Sequence, residues 1–172
     1  GCTTTIKHFI CNNQEYGRSE CNAVVSERAL REIYLKGFEI AVKEGGATAV
    51  MTSYNPVNGY WNASNYDLTE TVLRQEWGFD GIVMTDWWAK CNCKGEEGNR
   101  ENLKALVRAH NDLYMVCDSA EEKPHNIFEG LKEGYITRGD LQYCAKNILN
   151  YILKSPTFKK FADGGCVKPD FG

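Results

Sequence analysis

Four short apolar runs, each closing on polar residues and each set off from the next by a helical pattern, constrain this chain more than any other feature. They are TTTIKHF from Thr3, TAVMTSY from Thr48, GIVMTDW from Gly81 and NDLYMV from Asn111. In the third, Ile82, Val83 and Met84 stand together without a polar break. Such a run suits a strand covered on both faces, as strands of a parallel sheet are. The intervening stretch SERALREIYLKGFEIAVKEGG repeats apolar residues at helical spacing. Leu30, Ile33, Tyr34, Phe38 and Ala41 form the predicted face, with Ser26 as N-cap and Gly45-Gly46 as the stop. DLTETVLRQEWG opens on a D-x-x-E box, Asp67 and Glu70, and ends at Gly78. NRENLKALVRA, HNIFEGLKEG and GDLQYCAKNILNYILK supply three more helical patterns.

Strand and helix in alternation, with short connections, argue for βαβ units and a parallel α/β sheet. No Gly-rich phosphate loop follows the first strand, so neither a dinucleotide nor a P-loop reading has its key feature. A (β/α)8 barrel accounts for one further regularity. Lys7-His8, Tyr54-Asn55 and Asp86-Trp87 all fall at C-terminal strand ends, where barrel enzymes assemble their sites. Four strands make half of such a barrel, whose whole takes about 250 residues. The expected architecture is therefore a partial (β/α)8 barrel of about four βα units plus C-terminal helices. Residues 1–155 form it, and 156–172, with the Pro, Gly and Lys of SPTFKKFADGGCVKPDFG, read as a linker or tail.

Composition removes several alternatives. The 172 residues carry a formal net charge of -3 with both signs interspersed, and no basic run offers a nucleic-acid surface. No apolar stretch approaches the roughly 20 residues of a membrane span. Eight cysteines are present, but without paired CxxC knuckles, so no structural zinc and no cofactor is expected. Cys117 and Cys144 lie within apolar patterns as expected buried thiols. The N-terminal GCTTTIKHFI lacks the regions of a signal peptide and reads as a strand under way. A reducing, cytoplasmic location is the expectation, and the sequon Asn62-Ala63-Ser64 carries no weight without a secretory route.

Asp86 alone has two readings, a turn or helix cap and a functional carboxylate. The blocks KHFICNNQEYGR, VSERALREIYL, VMTSYNPVNG, LRQEWGFDGIVMTDW and VRAHNDLYM, in that order, resemble glycoside hydrolase family 3. The resemblance runs from Lys7 to about Lys154. In AHNDLYMV, His110 stands where many relatives have glycine, a pattern similar to a subgroup with permuted domain order. The resemblance implies the second half of the family's catalytic barrel and a retaining, exo-acting β-glucosidase-type hydrolase working through a glycosyl-aspartate. It implies Asp86 as nucleophile. Lys7, His8 and Arg18 would hold sugar hydroxyls, Met51 and Tyr54 would line the subsite, and Trp87 would wall it. The residue types suit the work. Cationic neighbours keep a carboxylate ionised, and charged donors bind dense hydroxyls by strong directed hydrogen bonds.

A retaining glycosidase needs two carboxyl groups roughly 5–5.5 Å apart. The resemblance supplies the second from a separate α/β-sandwich domain. Glu15 is the only local carboxylate to weigh against that. The expected partners are a β-glucoside or oligosaccharide, the N-terminal half-barrel and the α/β-sandwich domain. The chain alone is expected to be inactive or nearly so and, with open sheet edges, to aggregate, pair with the missing half or fold poorly. β-Xylosidase is the nearest competing activity. A non-catalytic sugar-binding barrel and an assembly fragment are the competing classes. His110 and His125 match no motif and read as ordinary.

Overall fold

A computed structural model describes residues 2–115 and 125–164. Strand β1 (Thr5–Phe9) leads to a helical stretch made of α1 (Glu27–Ala29), a π-helical segment (Leu30–Tyr34) and α2 (Lys36–Lys43). Then come β2 (Ala49–Thr52), the short β3 (Pro56–Val57) and β4 (Tyr60–Trp61), and a π-helix over Asp67–Glu76. β5 (Ile82–Met84), α3 (Leu103–Arg108), α4 (Ile127–Lys132), α5 (Arg138–Lys154) and α6 (Pro156–Ala162) complete the described elements. The last lies inside the stretch expected as a tail.

β1, β2 and β5 form a parallel sheet in chain order, with Thr5 opposite Ala49 and Ala49 opposite Ile82. Among its described residues, the fourth apolar run contributes one parallel bridge, Met84 to Leu113, rather than a full strand. It is held by Leu113 N–H donating to the Val83 carbonyl and Thr85 N–H donating to the Leu113 carbonyl. Val116 of that run, and Cys117 after it, lie outside the described residues. β3 and β4 pair as a hairpin that the sequence reading did not anticipate. Asn58 and Gly59 turn it with positive φ, the conformation such tight turns require.

The core lies between the sheet and its helices, around Phe9, Ile10, Leu35, Val50, Leu73 and Val83. Phe9 meets Phe38 and Trp77 edge to face, at centroid distances of 5.1 and 6.3 Å. The Ser26 cap is present, its hydroxyl accepting from Ala29 N–H. The predicted helix face needs correction at one position. Ile33 is 69% exposed, and Leu35 is buried in its place. The π-helical turns place more residues per turn than 3.6, so the apolar phase slips by about two residues. The D-x-x-E box is also corrected. Asp67 does not cap the π-helix; Asn65 Oδ1 accepts from Leu68 N–H instead, and Glu70 is turned inward. α5 does carry a capping box, between Thr137 and Asp140.

Gly81 enters β5 where no other residue fits. A Cβ there would lie 2.1 Å from the Thr48 carbonyl oxygen. Behind this entry, Arg74 donates to the Gly81 carbonyl and, at 2.6 Å, to Asp112. Asp112 also accepts from Val83 N–H and from Asn147. His110 spans Glu70 at 2.9 Å and Asp140 at 3.0 Å, one through each ring nitrogen. Its φ of 54° is the left-handed conformation that favours glycine. The described cysteines are free, with Cys11, Cys91, Cys93 and Cys144 buried and Cys2 and Cys21 exposed.

Candidate active site at the strand ends

Asp86 emerges just beyond β5. The residue before it, Thr85, is fully buried and fixed by its N–H to Leu113 and by Met115 N–H donating to its hydroxyl at 2.9 Å. This anchoring delivers Asp86 to the C-terminal edge of the sheet. Its carboxylate is held by three neighbours. Oδ1 accepts from Trp87 N–H at 2.8 Å. Oδ2 lies 3.3 Å from His8 Nε2. The Tyr54 hydroxyl, from beyond β2, hydrogen-bonds the same carboxylate.

Burial holds the His8 pKa below its ordinary value; Asp86 opposes the shift, while Lys7 and Arg18 add to it. His8 is therefore a neutral imidazole at neutral pH, a directed hydrogen-bonding group rather than a counter-ion. Burial, then the charge of Asp86 and the hydrogen bond to it, push the Tyr54 phenol up. Tyr54 thus keeps its proton and donates to Asp86. Arg18 packs its guanidinium 5.0 Å from the Tyr54 ring centre and pairs with Glu15 at 2.6 Å.

The structure brings His8, Arg18, Tyr54, Asp86 and Trp87 into one cluster. Lys7 sits beside it, exposed, with no hydrogen bond or ion pair among the described residues, though its charge acts on His8. Met51, half-buried on β2, is in register with Met84 of β5. Regular strand alternation would send Lys7 and His8 to opposite faces. The β1–β2 register is irregular between Ile6 and Phe9, and the Lys7–His8 and Phe9–Ile10 peptide bonds are cis. Trp87 is half exposed and meets Trp88 edge to face at 5.6 Å. Glu15 is open to solvent and tied to Arg18 at 2.6 Å.

Two neighbours of the cluster escaped the sequence reading. Lys90 and Arg100 line a cleft with Arg18, Tyr54, Trp87 and Trp88. Both come from the irregular segment between β5 and α3, where neither period nor motif marks a position. Among the described residues, no three His, Cys, Asp or Glu side chains converge to hold a metal ion.

The model for the glycosyl hydrolase family 3 N terminal domain matches residues 1–151. A β-glucosidase of Ruminococcus albus is 51% identical over 90% of this chain and 16% of its own length. Among solved structures, a β-glucosidase from Paenibacillus barengoltzii superposes with a TM-score of 0.86 at 59% identity, covering 90% of this chain and 17% of that one. β-Glucosidase 3B from Thermotoga neapolitana, in complex with α-D-glucose, gives 0.77 at 42% identity, covering 91% and 21%. The chain belongs to glycosyl hydrolase family 3. It spans about a sixth to a fifth of the length of these relatives.

Proposed function

We propose that the full-length protein carrying this chain is a retaining, exo-acting β-glucosidase, and that Asp86 is its nucleophile. The observation that carries the reading is the Asp86 carboxylate, held by Trp87 N–H and Tyr54 and faced by His8 at the end of β5. A carboxylate fixed from several sides is presented in one rotamer, as an attacking group must be. The similarity to β-glucosidases, one of them solved with glucose, supports the substrate.

In the first step Asp86 attacks the anomeric carbon, forming a glycosyl ester as the glycosidic C–O bond breaks. The leaving oxygen takes a proton from an acid carboxyl. In the second step water attacks the same carbon, gives its proton to that carboxylate and releases Asp86. Lys7, His8 and Arg18 hold sugar hydroxyls, Met51 and Tyr54 line the subsite, and Trp87 offers an aromatic wall. Tyr54 steadies the nucleophile through its hydrogen bond.

We further propose that the chain is the second half of a (β/α)8 barrel, residues 1–155, completed by an N-terminal half-barrel and an α/β-sandwich domain that brings the acid. The parallel chain-order sheet supports this. So do Leu149, Ile152 and Leu153, apolar and exposed on α5. The test is covalent trapping. A 2-deoxy-2-fluoro β-glucoside with an activated leaving group should inactivate the full-length protein and add one fluoroglucosyl unit to the peptide containing Asp86. A label on any other residue, or inactivation without a label, overturns the assignment.

A further inference from the structure

The cleft beside the cluster, about 180 Å³, combines flat aromatic walls with a surplus of positive charge. It shares Arg18, Tyr54 and Trp87 with the proposed sugar site, so whatever fills it is contiguous with the sugar. Trp87 and Trp88, both lining the cleft, meet each other edge to face at an interplanar angle of 80°. Three cations line the cleft, and their commitments differ. Arg18 is paired with Glu15, and Lys90 is paired with Glu20 while lying 5.9 Å from the Trp61 ring centre. Arg100 is exposed and has neither hydrogen bond nor ion pair among the described residues. Its charge nonetheless reaches the Tyr54 hydroxyl, where it opposes the effects of burial and of Asp86. With Glu15 matched to Arg18 and Glu20 to Lys90, the Arg100 guanidinium lines the cleft uncommitted, beside two indoles.

We propose that this cleft takes the leaving group, and that Arg100 with the Trp87–Trp88 pair selects a flat aglycone bearing a carboxylate. The inference rests on the glucosidase reading for its sugar and on Arg100 for its charge. A guanidinium presents a planar fork matched to a carboxylate, and it stacks readily beside aromatic rings. An exposed lysine would give a point charge without that geometry.

The experiment uses the full-length protein and two substrates that differ only in charge, 4-carboxyphenyl β-D-glucoside and its methyl ester. The readout is the ratio of kcat/KM for acid over ester, so effects on the sugar site cancel. Arg100→Gln should lower that ratio roughly fivefold, and Arg100→Glu should lower it further. In the unaltered protein the ratio should shrink between low and high salt. A ratio that Arg100→Gln and Arg100→Glu leave unchanged overturns the proposal, as does an equal loss on both substrates. A second measurement is independent of turnover. Calorimetry should give tighter binding of 4-hydroxybenzoate than of its methyl ester, and the difference should vanish in Arg100→Gln. Equal binding of the two phenols overturns the proposal even if the protein cleaves glucosides. Conversely, selective binding of the acid without any glucoside cleavage would sink the glucosidase reading and leave the anion site standing.

Discussion

The two ends of β5 hold charge under opposite conditions. At the entry end, Arg74 and Asp112 are sealed from water, and nearly every polar atom has a partner: the Gly81 carbonyl, Val83 N–H, Asn147. At the exit end, Asp86 and its neighbours are partly open. Lys7 and Arg100 stand without partners among the described residues, and Trp87 is half exposed. The first arrangement commits most of its donors within the chain: both terminal nitrogens of Arg74 are taken, and its Nε lies 3.9 Å from Glu70 without a hydrogen bond. The second leaves donors and aromatic surface facing outward. The difference separates a charge cluster committed to the fold from one with groups left uncommitted at the surface, a distinction that residue type alone does not reveal.

Changes at the exit end should strike activity and spare the fold, and changes at the entry end should do the reverse. Replacing Asp86 with Ala in the full-length protein should cut aryl β-glucoside hydrolysis by roughly 10³-fold or more with little change in Tm. Activity near the unaltered level removes the nucleophile assignment. Asp112→Ala should cost about 3–5 kcal/mol in denaturant unfolding, since it strands the Arg74 guanidinium in a dry site. Tyr54→Phe should lower kcat/KM roughly tenfold through the lost hydrogen bond to Asp86, with unfolding unaffected.

His110 sharpens the comparison further. His110→Ala should destabilise by about 2 kcal/mol, because Glu70 and Asp140 lose their bonds to the ring while the backbone remains left-handed. His110→Gly should recover about 1 kcal/mol of that, because glycine adopts positive φ without strain. A glycine variant no better than the alanine one would show that the side-chain bonds alone matter there.

The smallest effect concerns Asp140. Burial would raise its pKa, but hydrogen bonds from His110 and Thr137 outweigh burial and hold it below the ordinary 3.8. A depressed carboxylate stabilises the fold above pH 3.8 and loses that contribution as pH falls toward the lower folded value. The stability gap between the unaltered protein and Asp140→Asn should therefore be about 1 kcal/mol near neutrality and close as pH drops below 3.8. A gap that widens in acid contradicts the sign.

Much of this was legible in the chain. β1, β2 and β5 fall where apolar runs stop at polar residues, because strands covered on both faces leave an unbroken signature. Ser26 marks a helix start because capping is local chemistry. Ile33 and Leu35 exchanged places because a π-helical turn changes the period, and no residue announces such a turn. Glu70 and Arg74 were hidden for a related reason. An i, i+4 pair of opposite charge usually marks a solvated helix face, and only the approach of Asp112 and His110 from distant sequence buries it. The strand-end residues were marked by their equivalent places along the sheet, and the structure gathers His8, Tyr54, Asp86 and Trp87 at that edge. Arg100 was not, because an irregular segment carries it to the cleft.

The buried cysteines give each end of the sheet its own chemical witness. Cys11 follows β1 on the exit side, and burial pushes its thiol up to about 11. Cys144 on α5 reaches the Asn111 carbonyl, and burial followed by the nearby charge of Asp112 pushes it up to about 12. Thiolate is the reactive form, and each unit of pKa removes about a factor of ten of it at neutral pH. Both sulfurs should therefore resist alkylation while packed, and each should react only when its own surroundings open. In mild denaturant, the order in which the two peptides take up iodoacetamide would time the loosening of the site against that of the ionic knot behind it. No probe need be introduced, because natural residues already stand at both places.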